Sequence, residues 1–335
     1  MKNKRPVILI TMGDPSGIGP EIIIKAFKKH DIHQICSPLV IGDFQVMQET
    51  SKLMNLDAKI LKTDIGSKSI PDRDTIPVFS PSPDFKDFTF GKPSKNTGKA
   101  VFSYIKKAIE LCMEKKANAI ATAPINKLTF KESDIHFNGH TEILAHFSNT
   151  KNYAMMMYGR EISTVLVTIH IPLKKVPGEL SVEKIYKTIE LTNSSLKERF
   201  GIQKPALGIC GLNPHSGESG LFGDEEEKLI SPAIEKAREK GINITGPVPP
   251  DTAFVHARNK IFDCVISLYH DQGLIPFKLI HFKDGVNTTL GLPFPRTSVD
   301  HGTAYDIAGK NMADEESLVE AIKLAVFQAN NMKKV

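Results

Sequence analysis

The chain has 335 residues, 41% of them apolar, and single cores stop growing near 250–300 residues, so there is material for a full hydrophobic core and for two lobes. Its 43 basic and 38 acidic side chains leave a net charge of +5 spread along the whole length, with no Lys/Arg cluster interleaved with aromatics. That balance suits an anionic small molecule and argues against a nucleic-acid partner.

The opening segment "MKNKRPVILITMGD" has an apolar run of only about five residues, too short for a signal-peptide core or a membrane span. No membrane association is expected, and the cytoplasm is the expected compartment. Cys36, Cys112, Cys210 and Cys264 show no C-x-x-C spacing, and at least three sit in apolar runs, which reads as buried thiols rather than disulfides.

In chain order, "PVILIT" reads as a strand followed by a helix from about Pro20 to Lys29, with "GDPSGIGPEI" as the tight turn between them. The glycines Gly13, Gly17 and Gly19 do not have the G-x-G-x-x-G spacing, and no Walker Lys-Ser/Thr follows. "PLVIGD" precedes a helix from about Phe44 to Met54, and "KNTGKAVFSYIKKAIELCMEKK" is helical and leads into the strand "ANAIATAP". Residues 64 to 97 carry Pro71, Pro77, Pro81, Pro83 and Pro93, and are expected to form a surface excursion or a short antiparallel arm. Then come the strands "YAMMMYG" and "STVLVTIH", a helix in "SVEKIYKTIELTNSSLKERF", the strand "ALGICGL", a helix in "GDEEEKLISPAIEKAREK", a strand Cys264–Tyr269, and a last helix in "EESLVEAIKLAVFQANN". Strands alternating with helices of this length mean an α/β fold with mostly parallel sheet.

Ligands of open α/β sheets bind beyond the carboxyl ends of the strands. Three predicted strands run out into a histidine there: His170, His215 and His270. Parallel strands would deliver all three imidazoles to one rim, and three protein ligands with an open position is the pattern of a catalytic divalent-metal site. Asp271 or Glu218 could orient a ring from behind. Each histidine alone reads first as an ordinary surface-turn residue; it is the three together, at equivalent strand ends, that favour the metal reading. "FNGHTEIL" places Asn138, Gly139, His140 and Thr141 at an apparent helix start, which fits either an anion such as phosphate or a plain side-chain cap. "GLPFPRTSVDHGTAYDIAGK", with Arg296, Asp300 and His301, has the density of Gly, Pro and polar residues expected of a binding loop.

Taken together, "GDPSGIGPEI", "TAPINK", "GHTE", "THIPL", "GLNPHSGE", "YHDQGLIPFK" and "GVNTTLGLPFPRTSVDHGTAYDIAG" resemble, in this order and over nearly the whole chain, the 4-hydroxythreonine-4-phosphate dehydrogenase family of pyridoxal phosphate biosynthesis. The resemblance implies NAD(P)- and divalent-metal-dependent oxidation of a secondary alcohol, whose β-keto acid product loses CO₂ to give 3-amino-2-oxopropyl phosphate. It puts the metal ligands at His170, His215 and His270 and the substrate contacts at His140, Thr141, Lys278, Asn287 and Arg296. It implies Zn, Mg or Co as the ion, and a homodimer with a shared active site in which one imidazole can come from the partner chain. "GDPSGIGPE" and "HGTAYDIAGK" are also similar to elements of the isocitrate and isopropylmalate dehydrogenases, implying a cofactor loop at His301, Gly302, Thr303 and Ala304.

The resulting expectation is two α/β/α lobes with an active-site cleft between them, the first from residues 1–128 plus 280–335 and the second from 129–279. Asp251, after a Pro pair, and Lys278 are further candidates for proton transfer, and Lys127 sits just past a strand end. "LIHFKDGVN" departs from a more Gly-rich family segment, with His281 and Lys283 adding basic side chains near the expected substrate. Similar relatives act on 4-phosphorylated threonate or erythronate, the alternative substrates.

Overall fold

The computed structural model describes residues 5–65, 75–82, 88–137 and 139–332. Its strands are β1 (Val7–Thr11), β2 (Ser37–Ile41), β3 (Lys59–Lys62), β4 (Thr75–Phe79), β5 (Ala119–Thr122), β6 (Ala154–Tyr158), β7 (Ser163–Leu166), β8 (Leu207–Cys210), β9 (Ile244–Val248), β10 (Cys264–Ser267), β11 (Val286–Leu290) and β12 (Arg296–Ser298). The chain divides into two compact units, Met1–Lys151 with Leu292–Lys333, and Asn152–Gly291.

In the first unit the strands run in the order β3-β4-β2-β1-β5-β12 and every pairing is parallel. Parallel strands covered on both faces need unbroken apolar runs, and β1, "VILIT", supplies one. The helix Gly19–Lys29 follows with Pro20 in its first turn, Glu21 beside it and Lys28 and Lys29 in its last turn, each placed where the chain geometry and the helix dipole favour it. The helix Lys95–Met113 starts on a capping box between Ser94 and Thr97. Ile8, Ile10, Ile22, Ile23, Val40, Ile105, Ile120 and Ile322 meet in one core.

In the second unit the order is β11-β6-β7-β10-β8-β9, with β7, β10, β8 and β9 parallel and β6 antiparallel to both neighbours. The helix Val182–Phe200 begins at Ser181, whose hydroxyl accepts from Lys184 N, and ends at Gly201 in the left-handed region, φ 73°. Met155, Met157, Leu166, Phe254, Val265 and Phe277 form this unit's core. The mostly parallel α/β architecture is thus as expected, and the four cysteines are free and buried.

Three expectations are corrected. Residues 75–79, within the proline-rich stretch, are sheet: β4 lies between β2 and β3 with Ile76 and Val78 buried. A proline inside so short a run hides a strand from pattern reading, because proline cannot donate to the ladder. Residues 66–74 and 83–87 of that stretch lie outside the described residues. The units divide after Lys151 and Gly291 rather than after residues 128 and 279. The helices Lys127–Glu132 and His140–Phe147 pack on Lys95–Met113, and β11 is paired along its length with β6. Finally, the strand ending at His270 is shorter than expected: β10 stops at Ser267 and His270 opens the helix His270–His281.

Candidate active site

The second unit carries the three strand-end histidines. β7, β10 and β8 are adjacent and parallel, and His170, His270 and His215 lie just past their carboxyl ends. Beyond β7 and β10 the two chains stay zipped: Val167 N donates to Ser267 O, and Thr168 uses both its N and its hydroxyl on Leu268 O. This registry brings the His170 and His270 rings to 5.7 Å between centroids. His270 Nδ1 donates to Asp271 Oδ1 at 2.7 Å, and because a carboxylate only accepts, the pair fixes the proton on Nδ1 and leaves the lone pair on Nε2. That is the metal-binding form of imidazole, oriented from behind by an acid.

His215 stands in the loop after β8, exposed, with its ring 6.2 Å from Phe222. Gln272, one turn into the helix that starts at His270, accepts from Leu268 N at 2.7 Å and donates to Gly211 O at 2.8 Å, so it ties the β10 exit to the β8 exit. Within one chain the ring nitrogens of the three histidines do not all fall within 4.8 Å of one another among the described residues. The donor chemistry nevertheless fits a divalent ion: three imidazoles on neighbouring strand ends, one already held in the ligating tautomer.

Elsewhere in this unit Lys278 is half-buried on the helix His270–His281, and Asn287 sits in β11 with its Oδ1 buried and unpartnered among the described residues. Asp251 is exposed in the first turn of the helix Pro250–Arg258. His281 is not a substrate-facing cation. It is buried, its Nε2 accepts from Glu161 N and Ile162 N, and its Nδ1 faces Asp284, which makes it a strut for the β6–β7 turn.

In the first unit His140 is the first residue of the helix His140–Phe147, capped by Gly139 with no side-chain cap bond; Asn138 lies outside the described residues. Its Nε2 is buried without a partner among the described residues, and burial, with the Arg296 charge, holds its pKa well below the usual histidine value. Thr141 follows, half-buried. Arg296 opens β12, buried, with Nη2 donating to Thr122 Oγ1 at 2.8 Å, and burial pulls its pKa down to about 9. An imidazole held toward its neutral form and a buried guanidinium near a helix start whose cap residue is Gly139 form an environment that favours an oxyanion. Lys127 is exposed at the start of the helix Lys127–Glu132.

The expected cofactor loop lies against the N-terminal motif. Ile18 N donates to Thr303 O at 3.1 Å, and a Cβ at Gly17 would sit 3.0 Å from that same oxygen. His301 and Gly302 are exposed, Thr303 is buried, and Ala304 takes a left-handed φ of 42°. Four backbone donors in the turn of the motif are already used: Asp14 N on Pro124 O, Ser16 N on Asp14 Oδ1, Gly17 N on Asp14 O and Ile18 N on Thr303 O. "GDPSGIGPE" is therefore a support for the loop and not itself a phosphate cradle. Gln272, Thr122 and Asp14 went unassigned from sequence, although Gln272 directly follows the polar strand-end pair.

Residues 34–325 match the family described as pyridoxal phosphate biosynthetic protein PdxA. The chain belongs to the PdxA family. A 4-hydroxythreonine-4-phosphate dehydrogenase from Desulfosudis oleivorans is 52% identical over 328 residues, 98% of this chain and 97% of its own. A D-threonate 4-phosphate dehydrogenase from Cupriavidus necator is 42% identical, over 96% of this chain and 97% of its own. The crystal structure of a 4-hydroxythreonine-4-phosphate dehydrogenase from Klebsiella pneumoniae superposes with a TM-score of 0.88 at 38% identity, covering 97% of this chain and 99% of that one. The PdxA fold thus extends over both units.

Proposed function

We propose that this chain is an NAD(P)-dependent oxidoreductase that converts 4-phosphohydroxy-L-threonine to 2-amino-3-oxo-4-phosphooxybutanoate, which loses CO₂ to give 3-amino-2-oxopropyl phosphate, in pyridoxal 5'-phosphate biosynthesis. The observation that carries this reading, for a PdxA-family chain, is the His170–His270 pair on adjacent strand ends with Asp271 fixing the ring. His170, His215 and His270 would hold Zn, Mg or Co. When bound, such an ion supplies Lewis-acid polarisation of the substrate hydroxyl, and NAD(P)⁺ takes up the two electrons and hydrogen leaving the alcohol carbon.

The chain's own residues supply the rest. In the first unit Arg296, with His140 and Thr141 at a helix start, binds the phosphate or carboxylate through a planar fork and the positive end of the helix. In the second, Lys278 and Asn287 offer a cation and a buried amide oxygen to the substrate, and Asp251 or Lys278 accepts the hydroxyl proton. The loop His301–Ala304 carries the cofactor.

The helix His270–His281 and the residue that caps it leave Ile275, Leu279 and Phe282 exposed, apolar side chains whose cover we assign to a second copy in a homodimer. No described helix is long and apolar enough to cross a membrane. We assign the protein to the cytoplasm, with no nucleic-acid partner.

The test is NAD(P)⁺ reduction with 4-phosphohydroxythreonine, with and without a chelator. Turnover that a chelator stops and added metal restores supports the reading, while wild-type turnover by a metal-free His215→Ala variant sinks it. The D-threonate 4-phosphate dehydrogenases among the relatives favour one second reading, oxidation of 4-phospho-threonate or 4-phospho-erythronate. The same assay with those substrates separates the two.

A further inference from the structure

The loop that carries His215 is built from conformations that side chains resist. His215, Ser216, Gly217, Glu218, Ser219 and Gly220 all have positive φ, from 42° at Glu218 to 90° at Gly220. Non-glycine residues in this region each cost energy, and such a run persists only where its surroundings over-determine it. The loop's hydrogen bonds show what does so. Glu226 is buried, and its Oε1 accepts from both Leu212 N and Asn213 N at 2.7 Å. Its Oε2 accepts from Asn213 Nδ2 at 2.9 Å, and Glu225 takes the same amide at 2.7 Å.

The fit continues on the far side of His215. A Cβ at Gly217 would come 2.8 Å from Glu226 Oε2, so the loop passes over the carboxylate at a distance only glycine allows. Glu226 itself opens a π-helical turn, Glu226–Ile230, the widened geometry that often marks functional sites. One buried carboxylate therefore grips the chain just before His215 and abuts it just after. Ser216 N closes the turn on Asn213 O at 3.1 Å.

We infer that Glu226 is a positioning residue for His215: it touches neither substrate nor ion, and it fixes the imidazole's place on the rim by anchoring Leu212 and Asn213 just before it and lying close under Gly217 just after it. This rests on the reading of His215 as a metal ligand. In sequence Glu226 belongs to "GDEEEKLISPAIEKAREK", which reads only as containing a helix.

The experiment is Co²⁺ titration of the chelator-stripped full-length protein, followed by the visible spectrum of the bound ion, for wild type, Glu226→Ala, Glu226→Gln, His215→Ala and the double variant His215→Ala/Glu226→Ala. Supports of a metal ligand are typically worth about 10–100-fold in affinity, and Glu226→Ala should lose that much. Gln keeps one acceptor oxygen for the two backbone amides but turns a donor toward Asn213, so Glu226→Gln should fall between, and it decides the matter if the alanine variant does not fold. In the His215→Ala background the further Glu226→Ala change should alter affinity by less than about twofold, because the two act through one group. Folded Glu226 variants that bind Co²⁺ as wild type does, or that lose as much without His215 as with it, overturn the inference. A wild-type protein that binds no Co²⁺ overturns instead the metal reading on which it rests.

Discussion

The Tyr305 hydroxyl donates to Asp14 Oδ2 at 2.9 Å, joining residues 291 positions apart. Burial pushes the Asp14 carboxyl up, against the lowering by Ser16 N and by Tyr305, and burial together with Asp14 pushes the Tyr305 phenol up. The phenol therefore stays a donor across the working pH range. A few residues on, Glu21 Oε1 accepts from Ala313 N and from Lys25, while Lys25 Nζ reaches Asn311 O and Ala313 O. The segment that follows His301–Ala304 is thus pinned to the N-terminal motif at both ends.

Tyr305→Phe removes one of these pins without changing the ring. A hydrogen bond to a charged acceptor contributes about 1.5–3 kcal/mol, so the melting temperature should fall. If the loop carries the cofactor, KM for NAD(P)⁺ should rise while KM for the phosphorylated substrate stays level. Steady-state kinetics in both substrates read this directly, and an equal rise in both KM values would remove the loop from cofactor binding.

Two glycines of the same motif should respond unequally. A Cβ at Gly19 would lie 2.1 Å from Met12 O, a backbone atom that cannot step aside, whereas at Gly17 the nearest atom, Thr303 O, is 3.0 Å away. Gly19→Ala should therefore destabilise at the upper end of the roughly 1–3 kcal/mol typical of overpacking, and Gly17→Ala less. Gly17→Ala should also act on the Thr303 loop and raise KM for NAD(P)⁺. Urea denaturation ranks the two, and a reversed order would contradict the packing.

How legible these features were depends on the range of the signal. His170 and His270 could be read because a polar side chain at the end of an apolar run is a local pattern. β4 was hidden by Pro77, and His281 read as a basic side chain beside the substrate because nothing local reveals that two backbone amides donate to its Nε2. Asp14 with Tyr305, and Glu226 with Asn213, take their meaning from partners that only the folded chain brings near. The same holds for the division of the units, set by what the helices at Lys127 and His140 pack on.

His140 predicts an acid sensitivity. Its folded pKa lies well below the usual value, first because of burial and then because of Arg296. As pH falls below about 6.5 the unfolded chain gains a proton that the folded chain refuses, so the unfolded state binds more protons and stability drops. Above that window the group is neutral in both states and contributes no slope. For one group the slope cannot exceed about 1.4 kcal/mol per pH unit. The urea-unfolding free energy of wild type should therefore fall relative to His140→Gln between pH 7 and pH 5. Parallel curves for the two proteins would show that the imidazole is not held neutral by the fold.

Asp271 tests whether the strand-end acid orients His270 or only shapes the helix start. It is mostly exposed, and it faces Nδ1 of the neighbouring residue at 2.7 Å. It also lies in the first turn of the helix His270–His281, where a negative charge alone would be favourable. The two roles separate by substitution. Asn keeps an oxygen that accepts from Nδ1 but carries no charge; Ala keeps neither. If Asp271 sets the tautomer and ring position, Asp271→Ala should weaken Co²⁺ binding by about 10–100-fold and Asp271→Asn by far less. If its charge at the helix end is what counts, both should lose a similar, small amount of thermal stability and bind Co²⁺ alike. Unlike Glu226→Ala, which acts through His215, Asp271→Ala should still weaken the residual metal binding of a His215→Ala protein, because it acts through His270 and not through His215.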